Sequence, residues 1–129
     1  MRAPPARDPA YAGHMIEAIA RIRRYVGRKG RAAFLGSPLL QDAVIRNIEV
    51  IGEAAGRVSR EFAARHASIP WRDIAGMRHR LIHGYLTVNL ETVWQVVKRD
   101  LPALERDLRA LVARKPAAPA AATRGRKRS

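Results

Sequence analysis

The sequence contains no cysteine, which excludes disulfide bonds and thiolate metal sites. Aromatic residues are also scarce, whereas alanine, leucine, arginine and glutamate are abundant, and this composition favours helices over strands. No apolar run approaches the roughly 20 residues that span a bilayer, and the first residues lack the apolar segment of a secretory signal. We therefore expect an all-α protein in the cytoplasm, with no membrane contact.

Acidic side chains are outnumbered by basic ones. Lysine and arginine total 25 against 11 aspartates and glutamates, which gives a formal net charge of +14. A strongly basic body attracts polyanions because counterions are released on binding, so nucleic acid is the leading class of partner. An arginine-rich surface without such a partner explains the charge equally well at this point.

The chain is long enough for one domain with a core and too short for two. Hydrophobic residues make up 47% of it, which favours a folded globule over a disordered chain. We predict a loose N-terminus at 1–9, a helical domain at 10–114 and a disordered basic tail at 115–129, where the composition is biased and has no periodicity.

Apolar residues recur at spacings of three and four along most of the domain, which predicts amphipathic helices. Gly27 and Gly30 should end the first helix. Ser37 should cap the second helix and Asn89 the fourth. Pro102 should kink the fourth helix, since its ring displaces the carbonyl four residues earlier. The apolar stripes predict an antiparallel bundle of about four main helices, at 9–28, 38–65, 68–82 and from 89 onward.

Two glycines interrupt the second predicted helix. Gly52 and Gly56 lie one turn apart, and each should cost about 1 kcal/mol relative to alanine. Another segment must therefore approach the helix closely at this point. Packing against a helix of the same chain is the favoured explanation, and contact with a second chain is the alternative.

One segment concentrates titratable side chains. Residues 77–85 contain two histidines, two arginines and a tyrosine at the end of the third predicted helix. His79 and His83 are four residues apart and share a helix face, whereas Arg78 lies about 140° from His83 on a regular helix. The two can still converge on one cleft if the helix ends at Gly84.

Imidazole suits proton transfer near neutral pH, and guanidinium binds phosphate oxygens in a bidentate manner. Together they can cleave RNA without a metal, because the base activates the 2′-OH and the cation stabilises the charge that develops at phosphorus. Zinc binding by His79 and His83 is weakly supported, since the segment is cationic and supplies no further ligand. For the two histidines taken by themselves, a structural role is favoured.

The ordered set of motifs resembles a known family. Arg78-x4-His83-x-Tyr85 is similar to the Arg-x4-His-x-Tyr motif of HepT-like toxins in the HEPN superfamily. The resemblance extends to the second helix, the active-site block and the last helix, and covers roughly residues 11–112; the matching segments are 42–55, 69–85, 89–94 and 100–102.

The resemblance implies an all-α HEPN-like homodimer, formed through the motif-bearing face, in which two copies of the motif line a basic cleft for RNA. It implies that Arg78 is the phosphate-binding catalytic residue and His83 the acid and base, with no cofactor and no metal. His79, Arg80 and Asn47 are candidate substrate-binding residues; for Asn47, a structural role within its helix is favoured.

The resemblance also implies a partner. In this family a minimal nucleotidyltransferase antitoxin (MntA-like) adds AMP to the tyrosine that corresponds to Tyr85, within a toxin–antitoxin system of the type VII kind. A bulky anion at that position would block the cleft and oppose the arginine field. We therefore expect a toxin that acts as a metal-independent endoribonuclease and is neutralised by this modification.

Two alternatives remain open from the sequence. The chain could be a non-catalytic RNA-binding module or the scaffold partner of a nucleotidyltransferase, since a basic helical surface needs no catalysis. It could also be a plain helical bundle in which Arg78 pairs with an acid such as Asp73 or Glu91.

Overall fold

The computed structural model describes residues 7–81 and 87–113, and these two stretches contain helices and no β-strand. In chain order the helices are α1 (Arg7–Val26), α2 (Arg31–Leu35), α3 (Pro38–Arg57), α4 (Arg60–Arg65), α5 (Trp71–Ala75), α6 (Met77–Leu81), α7 (Leu90–Gln95), a π-helical turn (Val96–Asp100) and α8 (Leu101–Ala113). The all-α class predicted from the composition is therefore confirmed.

The predicted helix-ending glycine and the two predicted capping residues have the predicted roles. Gly27 adopts a positive φ of 54° after α1, a conformation that glycine adopts without strain. The Ser37 side chain accepts a hydrogen bond from the Leu40 amide at 3.1 Å and caps α3. The Asn89 side chain accepts from the Thr92 amide at 3.0 Å and caps α7.

The core joins the apolar stripes of the long helices. α1 packs along α3, α8 packs against α1, and α5 and α6 pack against α3. The stripes predicted from periodicity supply most of the side chains with little or no exposure; the largest of these are Phe34, Met15, Ile22, Ile48, Ile51, Leu81 and Leu108. Burial of these side chains is the main source of stability, since each contributes about 1.5–3 kcal/mol.

The second predicted helix is not continuous over 38–65, which corrects the prediction. α3 ends at Arg57, and Ser59 then caps α4 by accepting a hydrogen bond from the Phe62 amide at 3.0 Å. The buried Asp8 carboxylate accepts two more bonds, from the Ser59 amide at 2.9 Å and the Ser59 hydroxyl at 2.7 Å. These bonds satisfy the backbone at the break, so two helices form where the periodicity predicts one.

The start of α1 also differs from the prediction. It begins at Arg7, so residues 7–9, predicted to be loose, are helical. The reason is the contact with Ser59, because it fixes Asp8 inside the protein. Residues 1–6 and 114–129, which include the predicted basic tail, lie outside the described residues.

Two further elements depart from the predicted helices. The predicted third helix is divided into α5 and α6 at Gly76. The short α2 was not predicted, because five residues are too few to show a period. Its Phe34 is fully buried and its ring lies 5.4 Å from that of Trp94, so tertiary packing stabilises it.

A π-helical turn precedes Pro102, at which a kink was predicted; the kink itself stays a prediction. Residues 90–113 are helical throughout, and the widened turn, Val96–Asp100, ends two residues before the proline. It includes Lys98, whose carbonyl the proline ring would displace in a regular α-helix. This turn carries Asp100, which faces the segment that contains the predicted site.

Candidate functional site

Helix α6 carries the described part of the predicted site. Met77 and Leu81 are four residues apart, are buried, and anchor one face of the helix in the core. Arg78, His79 and Arg80 lie between them and are exposed. Because successive residues turn by about 100°, the three side chains point in different directions from a single turn.

Arg78 points toward α3. Its Nε donates a hydrogen bond to Oε2 of Glu49 at 3.1 Å, and this ion pair links α6 to the middle of α3. The Arg78 side chain remains 59% exposed and that of Glu49 37%. A guanidinium held through Nε can still offer its terminal nitrogens to a phosphate.

Two glycines allow this approach. A Cβ placed on Gly52 would lie 3.2 Å from the Ile74 carbonyl oxygen, and one on Gly56 would lie 3.6 Å from the Ala75 Cβ. α5 therefore packs closely on α3 at the two glycines, which have no side chains. This bears out the favoured explanation, which is packing within the chain. Glu49 lies one turn before Gly52 and consequently faces the segment that follows α5.

Arg80 points to another side of α6. Its Nη2 lies 3.5 Å from Oδ2 of Asp100 in the π-helical turn. The two residues border a groove of about 280 Å³ between α5–α6 and α8, whose floor includes Met77 and Leu104. Residues two apart on a helix lie about 160° from each other, so Arg80 and Arg78 do not share one binding surface within a single chain.

His79 lies between the two arginines and is exposed. Within residues 7–81 and 87–113, no hydrogen bond or ion pair engages its ring.

Asn47 lies elsewhere. It is buried, its Oδ1 accepts a hydrogen bond from Arg21 Nε at 2.8 Å, and its Nδ2 donates to the Ala43 carbonyl at 2.9 Å. It lies two positions before Glu49, so it occupies another face of α3, toward α1. The structure thus does not bring Asn47 to the Arg78 surface, and its contacts fit the structural role favoured for it.

His83 and Tyr85 lie outside the described residues, so the predicted convergence of His83 with Arg78 stays a prediction. The described residues do fix the two ends of that segment. The Asn89 amide donates to the Leu81 carbonyl at 2.7 Å, so the end of α6 lies next to the start of α7. Leu81 and Asn89, on either side of the residues that are not described, are therefore in direct contact.

Arg78 does pair with an acid, as one of the alternatives holds, but the acid is neither Asp73 nor Glu91, the two examples considered. Glu91 is engaged by Arg31, whose Nε donates to it at 2.8 Å. The hydrogen bond from Arg31 lowers the pKa of Glu91, and the same bond raises the pKa of Arg31. Asp73 borders the Arg80 groove instead. The true partner, Glu49, was missed because it resembles any exposed acid; its position three residues before Gly52 was the available signal.

Among the described residues, no group of three or more His, Asp or Glu side chains could hold a metal ion. Nor does any helix in this part of the chain have the length and apolar character to cross a membrane.

Comparison with known proteins identifies the family. Residues 15–111 match the model of the family described as ribonuclease HepT-like. A probable ribonuclease HepT from Thermococcus cleftensis is 39% identical over 95 residues, which cover 74% of this chain and 86% of the relative. No solved structure matches the chain.

A second relative is longer than this chain. A protein of Methanocaldococcus jannaschii, named gamma-glutamylcyclotransferase and putative RNase, is 43% identical over 98 residues. The match covers 76% of this chain but only 44% of that relative. The family assignment rests on the first two matches, which include α3, α6 and the segment between α6 and α7. The chain belongs to the ribonuclease HepT-like family.

Proposed function

We propose that the chain is a metal-independent endoribonuclease and the toxin of a toxin–antitoxin pair. The observation that carries the proposal is the exposed turn Arg78-His79-Arg80, which ends three positions before His83 in a chain of the ribonuclease HepT-like family. Arg78 is the phosphate-binding catalytic residue, and His83 transfers the protons. The net charge of +14 favours a polyanionic substrate.

The reaction needs one base, one acid and one cation. An imidazole removes the proton of the 2′-OH, the oxygen attacks the adjacent phosphorus, and the bond from phosphorus to the 5′-oxygen breaks. A protonated imidazole returns a proton to that oxygen. Arg78 binds the non-bridging oxygens, on which negative charge grows in the transition state. The products are a 2′,3′-cyclic phosphate and a free 5′-OH.

A homodimer formed through the motif-bearing face completes this set of groups. One chain offers a single His83, whereas the base and the acid must act on opposite sides of the phosphate. Two chains related by a two-fold axis provide two copies of each group on one surface. His79 and Arg80 then contact the strand beyond the cleaved bond, and Arg80 in one chain can serve the site that Arg78 of the other forms.

The proposed regulation acts on Tyr85. A minimal nucleotidyltransferase transfers AMP to its phenolic oxygen, which forms a phosphodiester and releases pyrophosphate from ATP. The added group is an anion and is bulky, so it opposes Arg78 electrostatically and excludes the RNA phosphate from the cleft. An arginine-rich surface of this kind is the environment in which one added phosphate has the largest effect.

The test is cleavage of labelled RNA in EDTA by the purified chain and three variants. We expect the wild type to produce 2′,3′-cyclic ends and His83→Ala and Arg78→Ala to lose at least about 100-fold in rate, the range of one acid–base or charge-stabilising group. Arg57→Ala is the matched control, an exposed arginine on α3 whose partner is Glu53. It should retain wild-type activity.

Equal cleavage by His83→Ala and the wild type would refute the proposal. If the wild type binds RNA with a strong salt dependence but leaves it intact in both EDTA and Mg²⁺, the non-catalytic RNA-binding module is the correct function instead. Co-expression with a nucleotidyltransferase encoded next to this chain tests the regulation. The chain should gain the mass of one AMP, and Tyr85→Phe should not.

A further inference from the structure

The bond between Glu49 and Arg78 uses one particular edge of the guanidinium. A guanidinium is planar and presents five N–H donors in a fixed fork, one on Nε and four on the terminal nitrogens. Glu49 accepts from Nε at 3.1 Å. No residue of the described stretches accepts from the four terminal donors, which leaves that edge to a second ligand, and the carboxylate limits rotation of the arginine side chain.

The position of Glu49 is set by helix packing rather than by chance contact at the surface. Gly52, one turn further along α3, lets the Ile74 carbonyl come within 3.2 Å of where a Cβ would be. α5 and the α6 that follows are therefore held at short distance from α3. At this separation a glutamate reaches the first turn of α6, and Arg78 is the residue it meets.

A second acid on the same helix behaves differently. Glu53 is exposed and pairs with Arg57 at 3.0 Å, four residues later within α3. Glu49 instead bonds a residue 29 positions away on another helix. Exposed ion pairs contribute little to stability, so the value of the Glu49 pair lies in where it holds its arginine.

We propose that Glu49 is the positioning residue for Arg78, fixing the guanidinium through Nε so that its terminal edge meets the RNA phosphate. The inference rests on the proposed ribonuclease function for its catalytic consequence, but not for the orientation of Arg78 itself. A fixed guanidinium stabilises the transition state without first losing side-chain freedom, and a misplacement of about 1 Å can cost 100-fold in rate.

Substitutions at Glu49 separate hydrogen bonding from charge. Glu49→Gln keeps an oxygen that accepts from Nε and removes the negative charge. Glu49→Ala removes both. Glu53→Ala is the matched control, since it deletes an exposed acid from the same helix and leaves Arg78 untouched.

Steady-state cleavage of a short RNA gives the first readout. We expect Glu49→Ala to lower kcat about 10- to 100-fold, because the guanidinium is no longer held in place. KM should stay equal or fall, since removal of a carboxylate makes the surface more basic. Glu49→Gln should stay within about threefold of wild-type kcat, and Glu53→Ala should equal the wild type. Unchanged or raised kcat in Glu49→Ala, or an equal loss in Glu49→Gln, would overturn the proposal.

Nuclear magnetic resonance of the arginine Nε–H groups gives a readout that needs no catalysis. The Arg78 signal, assigned from its loss in Arg78→Lys, should exchange slowly with water in the wild type and in Glu49→Gln, and rapidly in Glu49→Ala. Equal exchange in all three proteins would overturn the positioning role. If the wild type cleaves no RNA, the proposed function fails and this measurement alone decides on Glu49. Loss of the folded state in Glu49→Ala would assign the pair to stability and also overturn the proposal.

Discussion

Replacing each of the two α3 glycines with alanine should change stability in opposite directions. Both substitutions remove conformational freedom from the unfolded chain and improve helix propensity, a gain of about 0.5–1 kcal/mol. At Gly56 the new methyl would lie 3.6 Å from the Ala75 Cβ, an ordinary contact, so the gain is kept. We expect Gly56→Ala to stabilise the protein by about 0.5–1 kcal/mol.

At Gly52 the new methyl meets backbone. It would lie 3.2 Å from the Ile74 carbonyl oxygen and 3.5 Å from that of Ala75, and neither atom can rotate away. Moving α5 outward carries an overpacking penalty of about 1–3 kcal/mol, which exceeds the helix gain of about 1 kcal/mol. Gly52→Ala should therefore destabilise the protein by about 1 kcal/mol, and the two variants should differ by about 1.5–2 kcal/mol.

Urea unfolding followed by circular dichroism measures both values, provided that the slope m is the same in each variant. Equal stabilisation by the two substitutions would refute the reasoning, because it would mean that α5 does not restrict the space at Gly52. A second consequence tests the link to the site. Since α6 follows α5, Gly52→Ala should also weaken the Arg78–Glu49 contact and lower RNA cleavage, whereas Gly56→Ala should not.

Two other contacts give further predictions. Asp8→Ala leaves the amide and hydroxyl of Ser59 without their acceptor and should destabilise the protein by about 1–3 kcal/mol. Urea unfolding measures this change, and an unchanged midpoint would contradict the buried contact. Burial raises the pKa of Glu105, but the hydrogen bonds from Arg109 and Arg23 outweigh it, and the net pKa lies below 4.5. Its contribution to stability is thus present above pH 4.5 and is lost as pH falls through the lowered pKa. Glu105→Gln should therefore be less stable than the wild type at pH 7, and the difference, measured by urea unfolding, should shrink as pH falls below 4.5.

Helix positions were largely predictable because their signals are local. The apolar stripe of α1, the caps at Ser37 and Asn89 and the stop at Gly27 each act within about one turn of chain. The break at Ser59 was not predictable in the same way. Periodicity continues across it through Phe62, and only the contact with Asp8, 51 residues away, shows why two helices form.

The same difference between local signals and tertiary contacts applies to the candidate site. The concentration of Arg78, His79 and Arg80 beside His83 is visible in the sequence, and so is the resemblance of that segment to a family. The directions of the arginines are not visible, because they depend on the side of α6 that packs on α3. Structure places Arg80 toward Asp100 and away from Arg78, although the sequence lists them two residues apart.

By itself the sequence determined the helical class, several helix ends, the apolar stripes of the long helices and the segment whose motif resembles the family. Each of these depends on residue type and on spacings of a few residues. Tertiary structure decided the pairing of Arg78 with Glu49, the burial of Asp8 and the position of Asn47 away from Arg78. The Arg78–Glu49 pair depends on the distance between α3 and α5, which Gly52 permits by the absence of a side chain. The contacts of Asp8 with Ser59 and of Asn47 with Arg21 join residues far apart in the chain, so no local pattern encodes them.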